Sequence, residues 1–208
     1  MKSENLSSKE DNLSERTPTR KEKIEKVLSQ RQPDLTVVME NIHDPHNISA
    51  VLRTCDAVGI IDVHIVNTIS PHLGKLGKKS SASAKKWVNT IYHNGISECY
   101  DSLKKQGYNI YATHLSQNSS TLYDLNLVQP VALVFGNEHS GVSEEAWQKA
   151  DGNFIIPMVG MIPSLNISVA CAVSLYEAFR QRIKAGKYQA PALMLQKRES
   201  LLEEWLLR

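Results

Sequence analysis

Apolar positions along the chain fall into two rhythms, and their alternation predicts the architecture. Compact runs at 35–39, 61–66, 87–92, 109–113, 131–135 and 154–156 have the length and β-branched or aromatic content of strands. Between them, apolar residues three or four apart predict helices over 47–58 (ending near Gly59), 95–106, a stretch after Ser143, and Asn166 to about Lys184. Strand followed by helix, repeated, predicts an α/β domain at 34–187 with a mostly parallel sheet flanked by helices.

The two ends differ from this middle. Residues 1–16 are polar almost throughout and predict a disordered tail, because they hold too little apolar surface to offset the entropy of ordering. In 17–33, Thr17-Pro18-Thr19-Arg20 offers a helix start, Ile24, Val27 and Leu28 follow at helical spacing, and Pro33 ends a short basic helix. In 188–208, Pro191 interrupts the chain, and Leu202, Trp205 and Leu206 predict an apolar stripe on a last helix. The segment 72–84, rich in glycine, serine and lysine, reads as a mobile basic loop.

Composition narrows the class. With 208 residues, 41% hydrophobic and 22% charged, the chain can bury one core. No apolar run approaches the roughly 20 residues of a membrane span, and the polar start argues against a signal peptide. Cys55, Cys99 and Cys171 lie far apart without a paired spacing, which fits a reducing cytoplasm. His43 and His46 form an H-x-x-H pair, but no cysteine or carboxylate accompanies it at ligand spacing, so no metal is expected. A net charge of +2 does not by itself indicate a nucleic-acid partner. Its distribution does: basic residues outnumber acidic ones at both ends, which makes Arg20, Lys21 and Arg31, then Arg180, Arg182 and Lys187, candidate RNA contacts.

Three segments carry the candidate chemistry. Polar residues 40–54, with Asn47 and Arg53, follow the first strand, and the carboxyl end of a strand is where open α/β sheets bind ligands. The strand at 131–135 runs into Gly136, Glu138 and Gly141, a sharp turn that lacks the G-x-G-x-x-G spacing of a dinucleotide fold and so gives a nicotinamide oxidoreductase no support. At 155–166, Pro157, Gly160 and Pro163 interrupt an apolar stretch and leave main-chain groups available to a ligand, before Ser164, Asn166 and Ser168 open a helix of small residues.

Jointly these segments resemble the SPOUT superfamily of methyltransferases, in its SpoU/TrmH branch, whose motifs N-x5-RT, FG-x-E-x-x-G and IPM-x-G-x-x-x-SLN-x-S stand here as 47–54, 135–141 and 156–168. The resemblance covers about 17–190 and extends, through 31–37 and the run from His43 to Arg53, to members that methylate the ribose of guanosine 18 in the tRNA D-loop. It implies S-adenosylmethionine as methyl donor, tRNA as partner, a homodimer with the site near its interface, and a trefoil knot in the C-terminal half. It also implies a catalytic set of Asn47, Arg53, Glu138, Ser164 and Asn166, with cofactor contacts at Thr113, Gly136, Ile156 and Leu165. Asn137, His139 and Ser140 receive no role. Arg53 stands either as a clamp on the phosphate beside the target ribose or as the base; its guanidinium hardly ever gives up a proton. Two alternatives remain: ribosomal RNA or another tRNA position as substrate, and a non-catalytic RNA-binding protein of the same fold. The thirty-odd residues ahead of the domain are too few for the separate RNA-binding domain that ribosomal RNA members usually carry.

Overall fold

The computed structural model describes residues 19–68 and 84–208. The expected tail at 1–16 and all but the end of the loop at 72–84 lie outside them. Seven strands form one sheet: β1 (Leu35–Glu40), β2 (Asp62–Val66), β3 (Asn89–His93), β4 (Asn109–Thr113), β5 (Ser120–Thr121), β6 (Val131–Phe135) and β7 (Gly152–Ile155). Their order is β3-β2-β1-β6-β4-β7-β5, and every adjacent pair is parallel. The helices are α1 (Arg20–Ser29), α2 (Pro45–Ala57), α3 (Ile96–Lys105), α4 (Glu144–Lys149), α5 (Ile167–Lys184) and α6 (Leu195–Leu206).

Central strands β1 and β6 are buried along their whole length, as a sheet covered on both faces requires. Alternation divides the core. Leu35, Val37, Met39, Leu133 and Phe135 pack with Leu52 and Cys55 of α2 and Leu175 of α5, whereas Val38, Val66 and Val134 pack with Cys99, Tyr100 and Leu103 of α3 and Ala146 of α4. Met39 pairs with Phe135, so β1 and β6 end side by side and the loops that follow are neighbours.

The end segments form one small unit. Thr19 caps α1 reciprocally with Glu22, and Ile24 and Leu28 of α1 share a cluster with Leu193, Leu201 and Trp205 at α6. The last helix begins at Leu195, earlier than its apolar stripe suggested, and it buries Leu201 and Trp205 while Leu206 is exposed. Trp87 precedes β3 rather than starting it and meets the Trp205 ring edge-on at 5.0 Å.

Two of the six expected RNA contacts are corrected by burial. Arg31 is wholly buried, donates to the Ile60 carbonyl at 2.9 Å, pairs with Asp56 and lies over the Trp205 ring. Arg182 is wholly buried too, donating to the carbonyls of Leu127 and Gln129, each at 2.9 Å, and to Gln32 and Asp34. Positive charge in a sequence does not distinguish a surface contact from a structural guanidinium whose five donors tie loops together. Arg20 and Lys21 lie exposed on α1, and Arg180 is exposed and paired with Glu177; Lys187 is partly exposed and bonded to Asp34.

Candidate active site

The site is built where β1 and β6 end. Asn41, the residue after β1, adopts φ +52°, a left-handed conformation that asparagine tolerates better than most side chains, and its Oδ1 accepts from the Thr68 amide at 2.8 Å. After β6 the chain folds into a tight loop in which Asn137 and Gly141 exchange two main-chain hydrogen bonds, at 3.0 and 2.8 Å. Asn137 donates its side-chain amide to the Asn41 carbonyl at 3.0 Å and accepts from the His139 amide at 2.9 Å. Buried Glu40 accepts from the Ser143 amide at 2.8 Å, at the cap of α4. The two loops are therefore tied together by Glu40, Asn41 and Asn137, none of which the sequence singled out; a polar side chain directly after a strand was the available signal.

Glycine at 136 serves this loop. A Cβ there would fall closer than 3.0 Å to the carbonyl group of Gly141 and the amide nitrogen of Val142, a separation Cβ atoms do not adopt. Gly141 supplies the turn itself at φ +67°.

The loop presents Glu138 to solvent against the start of α2. Asp44, not Asn47, caps that helix, accepting from the His46 amide at 2.8 Å, with Pro45 in the first turn. The Asn47 side chain is thereby free to donate to Glu138 Oε1 at 2.6 Å. Asn166, the cap of α5, donates from Nδ2 to Asn47 Oδ1 at 3.2 Å while its Oδ1 accepts from the Ser168 amide at 2.9 Å and hydroxyl at 2.6 Å. Every donor points the same way, Ser168 to Asn166 to Asn47 to Glu138, so the chain ends on a carboxylate and holds three segments distant in sequence in one polar line.

Beside this line lies a cavity of about 830 Å³, within the range of about 300–1,000 Å³ typical of small-molecule sites. Its walls come from the ends of β4, β6 and β7 and from the segment leading into α5, and they include Thr113, Gly136, Glu138, Ile156, Ser164 and Leu165. All four residues proposed for the cofactor are among them. The Thr113 hydroxyl is engaged by the Val134 carbonyl at 3.0 Å. His114, which also lines the cavity, stacks on Trp147 with centroids 4.6 Å apart. From 157 to 165 no main-chain group bonds to another main-chain group among the described residues, which leaves amides and carbonyls free to meet a ligand.

Arg53 is not part of this assembly within one chain. It lies exposed on α2, six residues past Asn47, a rotation of about 120° around the helix from that side chain and a rise of about 9 Å. No carboxylate among the described residues pairs with it. Sequence thus identified the residues of the polar line, but not that Arg53 faces elsewhere.

Residues 34–176 match the family model described as the SpoU rRNA Methylase family. The chain belongs to the SpoU methylase family. Among its relatives, the tRNA (guanosine(18)-2'-O)-methyltransferase of Thermus thermophilus is 47% identical over 195 residues, 93% of this chain and 99% of that protein. A 23S rRNA (guanosine-2'-O-)-methyltransferase of Haemophilus influenzae is 34% identical over 161 residues, 77% of this chain but 65% of that protein. Among solved structures, the A. aeolicus TrmH/SpoU tRNA modifying enzyme superposes with a TM-score of 0.83 at 36% identity, covering 90% of this chain and 95% of that one. The SpoU assignment and the parallel sheet therefore agree with the reading of the three motifs. No helix among the described residues is long and apolar enough to cross a membrane.

Proposed function

We propose that this SpoU methylase transfers the methyl group of S-adenosylmethionine to the 2'-oxygen of guanosine 18 in the tRNA D-loop. The observation that carries the proposal is end-to-end similarity to a protein named for that reaction, 47% identical across 99% of its length. The ribosomal RNA relative is matched over only 65% of its length, which favours tRNA as substrate.

The cavity suits the cofactor in size and in its unpaired main-chain groups, with Thr113, Gly136, Ile156 and Leu165 as the residues that would hold it. When bound, the cofactor supplies an electrophilic methyl group on a sulfonium. Transfer in line to the ribose oxygen would require the 2'-hydroxyl to release its proton to solvent as the methyl group leaves the sulfonium, and alignment of that oxygen accounts for much of the acceleration. Asn47, Glu138 and Asn166 form the fixed polar edge along which the ribose is oriented, with Ser164 on the adjoining cavity wall. Arg53 clamps the phosphate next to the target ribose through its forked guanidinium donors.

The protein acts as a homodimer. On α5, Val169, Tyr176 and Ile183 recur every seven residues and are each about half exposed, and Met161 and Ile162 of the preceding segment are more exposed still; this apolar stripe suits a second copy. A paired arrangement also gives the outward-facing Arg53 a site to serve. Exposed Arg20, Lys21 and Arg180 would meet phosphates at some distance, fixing position and not sequence. The C-terminal half forms the trefoil knot of the superfamily, and the free, buried Cys55, Cys99 and Cys171 suit the cytoplasm.

Incubating the protein with methyl-labelled S-adenosylmethionine and unmodified tRNA transcripts, then mapping the label by nucleoside analysis, tests the proposal. Label as 2'-O-methylguanosine in the D-loop supports it. Label only on ribosomal RNA fragments offered in parallel refutes the substrate assignment.

A further inference from the structure

We propose that His64, His93 and Cys99 form a binding site for a thiophilic divalent cation, Zn²⁺ first, away from the cofactor cavity. The side chains come from three elements: His64 from β2, His93 from the end of edge strand β3, and Cys99 from α3. Their ligand atoms, two imidazole nitrogens and one sulfur, all lie within 4.8 Å of one another. His64 Nδ1 and His93 Nε2 are 2.8 Å apart. Solvent is largely excluded: relative exposure is 4% for His64, 0% for Cys99 and 6% for the His93 side chain.

Two imidazoles and a thiolate suit Zn²⁺, with bonds of about 2.0–2.1 Å to nitrogen and 2.3 Å to sulfur and a fourth position left for water. Tetrahedral bonds of that length separate two nitrogens by about 3.3 Å, so the histidine pair has to part by only about half an ångström. A supporting shell is in place. Glu98 is held by the amide and side chain of Asn94, each at 3.0 Å, and its Oε1 lies 3.8 Å from His93 Nδ1. A proton on His93 Nδ1 facing that carboxylate leaves Nε2 with its lone pair toward the site. Zn²⁺ binds neutral imidazole and thiolate, so one proton leaves Cys99 per ion bound.

Without an ion, the two rings stack at 5.1 Å and share a hydrogen bond. An ion replaces that bond with two and adds a third to α3, clamping β3, which among the described residues pairs only with β2, to the sheet and to a helix. Sequence spacing offers no hint, because the ligands are brought together by the β2–β3 register, in which Val66 pairs with His93 and His64 with Ile91.

The test is a Co²⁺ titration of the full-length, chelator-treated protein, with Zn²⁺ measured by competition. Expected are one Co²⁺ per chain, tetrahedral visible bands, a thiolate charge-transfer band, and a rise in melting temperature of roughly 5–10 °C with Zn²⁺ at 100 times its Kd. Cys99→Ser should remove the charge-transfer band. Affinity should fall on the order of 100-fold in His93→Gln, a conservative change at the sheet edge that keeps the test decisive if the Cys99 variant fails to fold, whereas His46→Ala should bind as the parent does. Absence of the thiolate band in the parent, or affinity unchanged in His93→Gln, overturns the proposal. None of these readouts depends on methyl transfer.

Discussion

Replacing Gly136 with alanine separates two reasons for a glycine beside a ligand cavity. If the residue is glycine only to admit a ligand, Gly136→Ala weakens cofactor binding and leaves the fold alone. The structure gives a different reason, since the added Cβ would collide with the main chain of Gly141 and Val142 before any ligand arrives. Relief requires the two sides of the loop to part by about an ångström, and overpacking against well-packed neighbours costs about 1–3 kcal/mol. It also breaks or stretches the two Asn137–Gly141 hydrogen bonds, each worth about 0.5–1.5 kcal/mol. The sum is about 2–6 kcal/mol, which for a chain of this size lowers the melting temperature by roughly 4–24 °C. Thermal unfolding by circular dichroism, with calorimetric titration of S-adenosylmethionine, reads both quantities. Gly141→Ala is the internal comparison: it has a left-handed φ but nothing within 4 Å of its Cβ, so only the conformational cost of about 1–2 kcal/mol applies. A Gly136→Ala protein that melts within about 1 °C of the parent, whatever its affinity, would refute the reasoning.

Three further outcomes follow from the same geometry. Arg182→Met strips partners from Asp34 and three loop carbonyls and should cost about 3–5 kcal/mol in denaturant unfolding, whereas Arg180→Ala, an exposed pair with Glu177, should stay within about 0.5 kcal/mol and show its effect only as weaker tRNA binding. Asn47→Ala should lower kcat/KM by about 10²-fold with little change in melting temperature, and combining it with Asn166→Ala should add less than the two single losses, since both break one hydrogen-bonded line. In the chelator-treated, metal-free protein His64 is lowered to about 4 when folded against about 6.5 when unfolded, so its contribution is complete above pH 6.5 and is lost as pH falls toward 4, by up to about 3 kcal/mol; unfolding midpoints across that window should flatten in His64→Gln, and an unchanged slope would contradict the assignment.

The parallel α/β architecture was legible because β1 and β6 are apolar throughout and the helices between strands keep their own period. Helix starts were less legible. Asp44 caps α2, and only with the cap assigned does it emerge that Asn47 is free to reach Glu138. Motif spacing identified Asn47, Glu138 and Asn166 without showing that one unidirectional line of hydrogen bonds joins them, because that line depends on the side-by-side ends of β1 and β6. Charge was the poorest guide: Arg31 and Arg182 look like surface cations in sequence and are buried struts in the fold, since nothing in a local pattern records which carbonyls a guanidinium will meet. The short strand β5 and the turn Leu122–Asp124 carry too few residues for any period to show.

The central claim is that one ribose oxygen of the tRNA D-loop is the methyl acceptor. The most direct measurement compares two otherwise identical unmodified tRNA transcripts, one with guanosine and one with 2'-deoxyguanosine at position 18, each incubated with the protein and methyl-labelled S-adenosylmethionine. The account requires stoichiometric label on the first transcript and none on the second, with both still bound. Equal labelling of the two would place the methyl group on another atom and contradict it.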